Sequence, residues 1–427
     1  MAAARRIAIV GGGWAGMAAA VGLASTSHVT VFEAARVFGG RARAVQLPQP
    51  DGSTLTLDNG QHILIGAYAE CRRLMALVGV DENRAFMRLP LALVHPDGSG
   101  IALPDLAPPW DALWGIARAR GWSWRERFAL LRRAARWQRQ GFACADTATV
   151  AGLCAGLPPR LQAEFIEPLC ISALNTPMEQ ASGAVFLRVL RDSLFAGRGG
   201  SHFWLPAADL GALFPSTAAA WLQARGHDCR TGVRVAQLTA RPQGGWLVDG
   251  EAFDAVVLAT PAPEAARLAR ETTAQAAPWA DAAARLQHTA ITTVYAQADR
   301  ATRLPRPVLA LRSQRGWPAQ FVFDRGQLGG PAGLLAFVIS TSDGPQAELQ
   351  AQVLAQAQAQ LGLPLEPVQT IVEKRATFAC TPGLQRPGMA IAPELLACGD
   401  YVDGPYPATL EGAVLSGSAV AQLVSKQ

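Results

Sequence analysis

Residues Arg6-Ile-Ala-Ile-Val10 run directly into Gly11-Gly-Gly13-Trp14-Ala15-Gly16, and the reading of this stretch decides the fold. The first five residues have the apolar, β-branched character of a short strand buried on both faces. Trp14 to Ser25 is a run of small and apolar residues suited to a helix packed closely on its neighbours. Between them, the spacing Gly11-x-Gly13-x-x-Gly16 permits a tight turn and a close backbone approach to a pyrophosphate. The free N–H groups at the helix start, from Trp14 and Ala15 onward, face that anion. A lone glycine pattern of this kind is weak. Here a second strand, His28-Val-Thr-Val-Phe32, ends at Glu33, whose carboxylate can accept from ribose hydroxyls. A carboxylate at that point disfavours a 2′-phosphate, so the expected nucleotide is FAD or NAD and not NADP.

Working outward, the chain has 427 residues, half of them apolar and 17% charged. That excludes disordered, fibrous and disulfide-stapled classes and predicts two or three folding units with room for a ligand cavity. The seven cysteines are scattered and include no C-x-x-C pair, which suits reduced cytosolic thiols and neither a zinc site nor a disulfide frame. Arg5-Arg6 before an alanine-rich stretch imitates a secretion signal, but Gly11-Gly12-Gly13 interrupts the apolar part. There is no long uncharged apolar run, so no membrane span is expected. Nothing suggests a metal site or a nucleic-acid-binding module. Lys374 and Lys426 are the only lysines among 38 basic residues.

Gly39-Gly40-Arg41-Ala42-Arg43 resembles the second signature of the flavin amine oxidase and phytoene desaturase superfamily. In that superfamily the glycines run under the FAD pyrophosphate and the first arginine helps neutralise it, which turns the cofactor expectation to FAD. The turn Asp58-Asn59-Gly60-Gln61-His62 follows the strand-like Thr54-Leu-Thr-Leu57, and the superfamily's corresponding passage skirts the flavin ring. Gly60, Gln61 and His62 are thus candidates there, the alternative for His62 being a structural turn histidine. Gly232 to Thr260 reads as a β-meander closing into a buried strand and resembles the superfamily's middle FAD segment, where the residue matched by Val235 contacts adenine. Near the C-terminus, Leu395–Cys398 is a short strand, Gly399-Asp400 ends it, and a helix is expected from Pro407 to Val424. Asp400 can accept from a ribityl hydroxyl, while the helix start around Thr409 and Leu410 faces the flavin's electron-rich edge.

The expected architecture is α/β: a discontinuous, Rossmann-like FAD-binding domain of the amine oxidase type over 1–85, 206–265 and 390–427. A helical insert fills 86–205, and an α+β substrate domain, a sheet with helices on one face, fills 266–389. Within the insert, residues 110 to 140 hold eight arginines against Asp111 and Glu126, interleaved with Trp110, Trp114, Trp122, Trp124 and Trp137. This pattern fits peripheral contact with a membrane surface or, equally, the solvated face of a lid.

Longer matches narrow the resemblance. Asp58–His62, Pro168-Leu-Cys-Ile-Ser-Ala-Leu-Asn-Thr-Pro177, Glu373-Lys-Arg-Ala-Thr-Phe378 and above all Gly399-Asp-Tyr-Val-Asp-Gly-Pro-Tyr-Pro-Ala-Thr-Leu-Glu-Gly-Ala-Val414 are similar to the squalene-associated FAD-dependent desaturases, the hydroxysqualene dehydroxylases of bacterial hopanoid synthesis. That resemblance implies reduction of hydroxysqualene to squalene and a hydrophobic isoprenoid substrate. An allylic alcohol that loses water leaves a delocalised cation that a hydride can quench, so the protein must supply an acid, a dry cavity and no competing nucleophile.

The catalytic candidates are Lys374, His62 and Tyr406, with Glu411 as either a site acid or a helix charge. Lys374 is singled out because an arginine-rich chain keeps a lysine there, although a surface lysine explains it as well. Asp209 is expected to cap the helix from Leu210. Alternatives are a carotenoid or phytoene-type desaturase running in the oxidising direction, another amine-oxidase-like enzyme, or an isoprenoid escort protein without redox chemistry. The electron donor, NAD(P)H or a separate reductase, has no visible domain, and oligomeric state leaves no mark. A cytoplasmic location is expected, at the inner face of the membrane if the tryptophan and arginine segment docks.

Overall fold

The computed structural model describes residues 4–49 and 51–426. Its organising element is a six-stranded sheet in the order Asp228–Thr231, Ser27–Glu33, Arg5–Val10, Ala255–Leu258, Leu395–Ala397, Ala390–Ala392. All neighbours are parallel except the last pair. The strands are apolar throughout because both faces are covered. Ile7, Ile9, Val29, Val31 and Val257 join a core with the helices Trp14–Leu23, Pro215–Gln223 and Leu410–Ser425. Ala8, Val10, Val256 and Leu258 point the other way, onto an antiparallel three-stranded sheet and the helices Ala262–Arg270 and Ala277–Ala284.

The run of small residues after Gly13 has a physical reason. The first and last helices cross so closely that a Cβ on Gly417 would lie 2.3 Å from the Ala15 carbonyl oxygen, and one on Gly22 would lie 2.6 Å from the Ala421 Cβ.

The expected β-meander is present, but its first strand is Leu238–Ala240 and not the stretch from Gly232 to Leu238; Trp246–Val248 and Glu251–Phe253 follow and lead into Ala255–Leu258. Asp228–Thr231, with its polar sequence at the sheet edge, was not expected as a strand. The C-terminal helix starts at Leu410 and not at Pro407: Ala408 adopts φ +59°, and Thr409 caps the helix by accepting from the Gly412 amide. Asp209 caps Leu210–Leu213, accepting from the Ala212 amide.

A second, antiparallel sheet has the order Val308–Ala310, Phe321–Asp324, Leu334–Ser340, His288–Gln297, Glu366–Phe378. Alternation again divides its side chains. Val294, Phe337 and Ile339 pack under the helix Gln346–Leu361, whereas Tyr295, Phe321, Phe323 and Val338 turn to the opposite face. Residues 86–205 form mostly helices around a small core of their own, with π-helical turns at Gln162–Ile166 and Arg191–Phe195. Among the described residues no helix is long and apolar enough to cross a membrane.

Candidate active site

A cavity of about 850 Å³ runs from the first glycine turn, across the C-terminal ends of the parallel strands, to the inward face of the antiparallel sheet. Its first half is backbone and polar groups. Gly11 sits at φ +117°, a conformation that only glycine adopts without strain, and Gly16 packs so tightly that a Cβ would lie 2.0 Å from the Gly11 carbonyl oxygen. Gly13 and Gly40 face one another across the cradle. A Cβ on Gly13 would meet nothing nearer than 3.8 Å, so a phosphate can approach the bare backbone. The helix from Trp14 has no side-chain cap, which leaves its first amides free for an anion. Glu33 is held at the end of its strand, its two carboxylate oxygens accepting from Gly12 N (2.8 Å) and Ala35 N (2.7 Å). Val235 is buried in the same wall, beside the exposed Arg234.

Arg41 closes this half. Its guanidinium donates to Asp400 Oδ1 at 2.5 Å and to the Ala376 carbonyl at 2.7 Å. Burial works against its charge, but the Asp400 carboxylate outweighs this and keeps Arg41 firmly protonated. The Ala376 carbonyl reaches Arg41 because the strand Glu366–Phe378 bulges: Thr289 pairs with Thr377 and Ile291 with Glu373, so residues 374–376 are out of the ladder. Glu373, Arg375, Ala376 and Thr377 line the cavity.

Of the catalytic candidates, Lys374 is exposed and absent from the lining, so the structure favours the surface lysine over the catalytic one. The cause is local. The bulge brings its neighbours inward and leaves Lys374 in solvent.

At the junction of the two halves stand Gly60, Gln61 and His62. Gln61 adopts φ +33°, accepts from Arg325 at 3.1 Å and keeps its Nε2 buried without a partner. His62 Nδ1 is likewise buried and unpartnered. Burial, reinforced by Arg41, pushes the His62 pKa down to about 4, so the ring is neutral near pH 7 and serves as a hydrogen-bonding group but not as an acid. Behind the turn lies Asp58. Neither of its carboxylate oxygens has a partner, and burial lifts its pKa to about 7.

The second half is apolar, walled by Ile63, Leu169, Phe186, Leu190, Ile291, Phe321 and Val338 among others. The exception is a pair that the sequence reading only half found. Tyr406 donates to Asp192 Oδ2 at 2.9 Å, and both line the cavity. Burial and Asp192 raise the Tyr406 pKa to about 12. Burial pushes Asp192 upward, but hydrogen bonds from Arg191 and Tyr406 outweigh it and hold the carboxylate below its ordinary value. Asp192 lies in a π-helical turn, a feature that often marks functional sites, and its one sequence signal was an acid after an apolar helical run.

Glu411 also borders the cavity, but its carboxylate caps the helix Ala69–Leu77 by accepting from the Glu70 and Cys71 amides, both at 2.9 Å. Thr409 and Leu410 stand at the helix start beside it. Asn175, in the matched Pro168–Pro177 stretch, ties the helical insert to the antiparallel sheet by donating to Thr289 and Thr377 at 2.9 Å. Gly399 precedes Asp400 at the strand end, its amide held by Ser416.

These groups fit FAD. The bare Gly13–Gly40 cradle and helix amides suit the pyrophosphate, Glu33 suits the adenosine ribose, and the orphaned amide donor of Gln61 with the orphaned ring nitrogen of His62 suits a ring of carbonyls and nitrogens. Among the described residues no cluster could hold a metal ion.

Comparison with known proteins agrees. A family model described as flavin containing amine oxidoreductase matches residues 14–425. A hydroxysqualene dehydroxylase from Rhodopseudomonas palustris is 28% identical over 455 residues, covering 98% of each chain. A carotenoid phi-ring synthase from Streptomyces griseus is 35% identical over 115 residues, 26% of this chain and 22% of its own. The solved structure of cyclohexylamine oxidase from Brevibacterium oxydans superposes with a TM-score of 0.69 at 15% identity, covering 99% of both chains, and so shares the fold.

Proposed function

Because the chain belongs to the family of flavin-containing amine oxidoreductases, we propose that this FAD-dependent enzyme reduces hydroxysqualene to squalene. The observation that carries the reading is the apolar half of the cavity, which continues from the FAD-binding half and carries the Tyr406–Asp192 pair. The full-length similarity to a hydroxysqualene dehydroxylase supports it. A carotenoid-type desaturase is the second reading, but the desaturases similar to this chain match only 29% and 23% of it.

A bound, reduced flavin supplies the hydride that replaces the hydroxyl. The chain's own residues do the rest. The allylic C–O bond breaks and its oxygen leaves as water, which requires one proton. Tyr406 is the donor in this proposal: burial and Asp192 keep its proton in place until the departing oxygen competes for it, and the tyrosine then regains a proton from solvent. Asp192, paired with Arg191, orients the phenol at rest. Neutral His62 can accept from the substrate hydroxyl and position it. The apolar wall binds the chain and excludes water, which would otherwise capture the allylic cation. NAD(P)H or a separate reductase is the proposed external electron source.

The test is single-turnover oxidation of the chemically reduced flavoprotein under anaerobic conditions. Hydroxysqualene should return the flavin to its oxidised absorbance, and phytoene should not. Reduction of the oxidised flavin by phytoene would favour the carotenoid reading instead.

A further inference from the structure

The helices Trp110–Arg118 and Trp124–Arg139 carry large apolar side chains on the outside of the protein. Trp110 is 66% exposed, Trp114 50%, Trp124 75% and Phe128 66%. They are arranged by helical spacing: Trp110 and Trp114 share a face, as do Trp124 and Phe128. The same faces end in arginine one turn further on, Arg118 after Trp114 and Arg132 after Phe128. With the exposed Leu106 and Leu113, Trp110 and Trp114 also border a shallow groove of about 400 Å³.

The charge of this region is unbalanced in the folded protein as well as in sequence. Asp111 is buried, and Glu126 is committed to the capping box with Ser123. Arg127 and Arg133 satisfy backbone carbonyls at helix ends. Arg118, Arg125, Arg132, Arg136 and Arg139 remain exposed and make no ion pair among the described residues.

We infer that this face docks on an anionic phospholipid bilayer. Exposed indoles and a phenyl ring, with arginines free of ion pairs one helical turn away, offer what such a surface takes up, apolar rings for the acyl boundary and cations for the phosphates. A soluble acidic partner would account for the arginines but not for four aromatic side chains held in water. The location is also informative. The loop through Leu106 is tethered by Asp105, whose carboxylate holds Arg198 at 2.9 Å and approaches His202 at 3.5 Å, and the neighbouring Ser201 and Phe203 line the main cavity. The docking face therefore adjoins a wall of the cavity. The inference does not depend on which substrate the cavity takes.

Co-sedimentation of the holoprotein with phosphatidylcholine vesicles, with and without phosphatidylglycerol, tests it. The wild type should bind the anionic vesicles and show tryptophan quenching by lipids brominated in the acyl chain. R118Q/R125Q/R132Q should lower partitioning on the order of 100-fold on anionic vesicles. W114S/W124S/F128S should abolish binding to the anionic vesicles. Each changed side chain is exposed, so FAD content and Tm should hold, which separates lost docking from lost folding. Absence of vesicle binding, binding unchanged in both variants, or a wild-type dimer that the serine variant dissociates without any lipid binding would overturn the inference.

Discussion

Arg41 and Asp400, 359 residues apart in sequence, meet at 2.5 Å at the edge of the cavity, so the second glycine signature and the C-terminal strand end form a single ion pair. The pair is shielded, and the Asp400 carboxylate is what holds the charge of Arg41 in place. Removing the carboxylate leaves a guanidinium in a poorly solvated place with carbonyls as its remaining partners, at a cost of about 1–3 kcal/mol. Asp400→Asn should therefore weaken FAD binding on the order of 10- to 100-fold in a flavin-fluorescence titration, and unchanged affinity would remove Asp400 from the cofactor site.

Two glycines of the same turn should behave differently. A methyl group at Gly13 has room, its nearest neighbour being 3.8 Å away, and Gly13 has an ordinary φ of −81°. A methyl at Gly16 would collide with a backbone oxygen at 2.0 Å. Gly13→Ala should keep the Tm of the apoprotein but lower its FAD content, because the methyl fills the cradle. Gly16→Ala should fail to give a stable fold. Equal loss of Tm in both variants would contradict the cradle.

Much of this was legible in sequence because it depends on spacing. The strand, turn and helix at Arg6–Ser25, the carboxylate at Glu33 and the strand end at Asp400 are local patterns, and each has one structural solution. The edge strand Asp228–Thr231 was not legible, since Asp-Cys-Arg-Thr carries no apolar alternation and its pairing with Ser27–Glu33 is made at long range. Lys374 was chosen on composition, which says nothing about the bulge that turns it to solvent. The partners Asp192 of Tyr406 and Arg325 of Gln61 were missed because they come from distant segments, 214 and 264 residues away.

The proton-donor assignment separates Tyr406 from Lys374. Tyr406→Phe should slow single-turnover flavin oxidation by hydroxysqualene on the order of 100-fold with FAD binding unchanged. Lys374→Gln should stay within about two-fold of wild type, since general acid assistance requires a group within hydrogen-bond reach of the leaving oxygen. The opposite ranking would restore the lysine and remove the tyrosine.

Asp58 makes a prediction about stability and pH. Its folded pKa of about 7 lies above the ordinary 3.8, so between these values the folded chain holds a proton that the unfolded chain has lost. Stability from this group is thus present at low pH and falls as pH rises towards 7, by up to about 4 kcal/mol at 1.36 kcal/mol per unit. Asp58→Asn removes the titration. The fall in Tm from pH 5 to pH 8 should be smaller in the variant, and an unchanged or steeper fall would show that Asp58 is ionised in the fold.

The most direct measurement of the central claim is product analysis after anaerobic incubation of the reduced holoenzyme with hydroxysqualene. The account predicts squalene, formed in proportion to the flavin oxidised and on the order of 100-fold more slowly in Tyr406→Phe. Recovery of unchanged hydroxysqualene from fully loaded, reduced enzyme would contradict it.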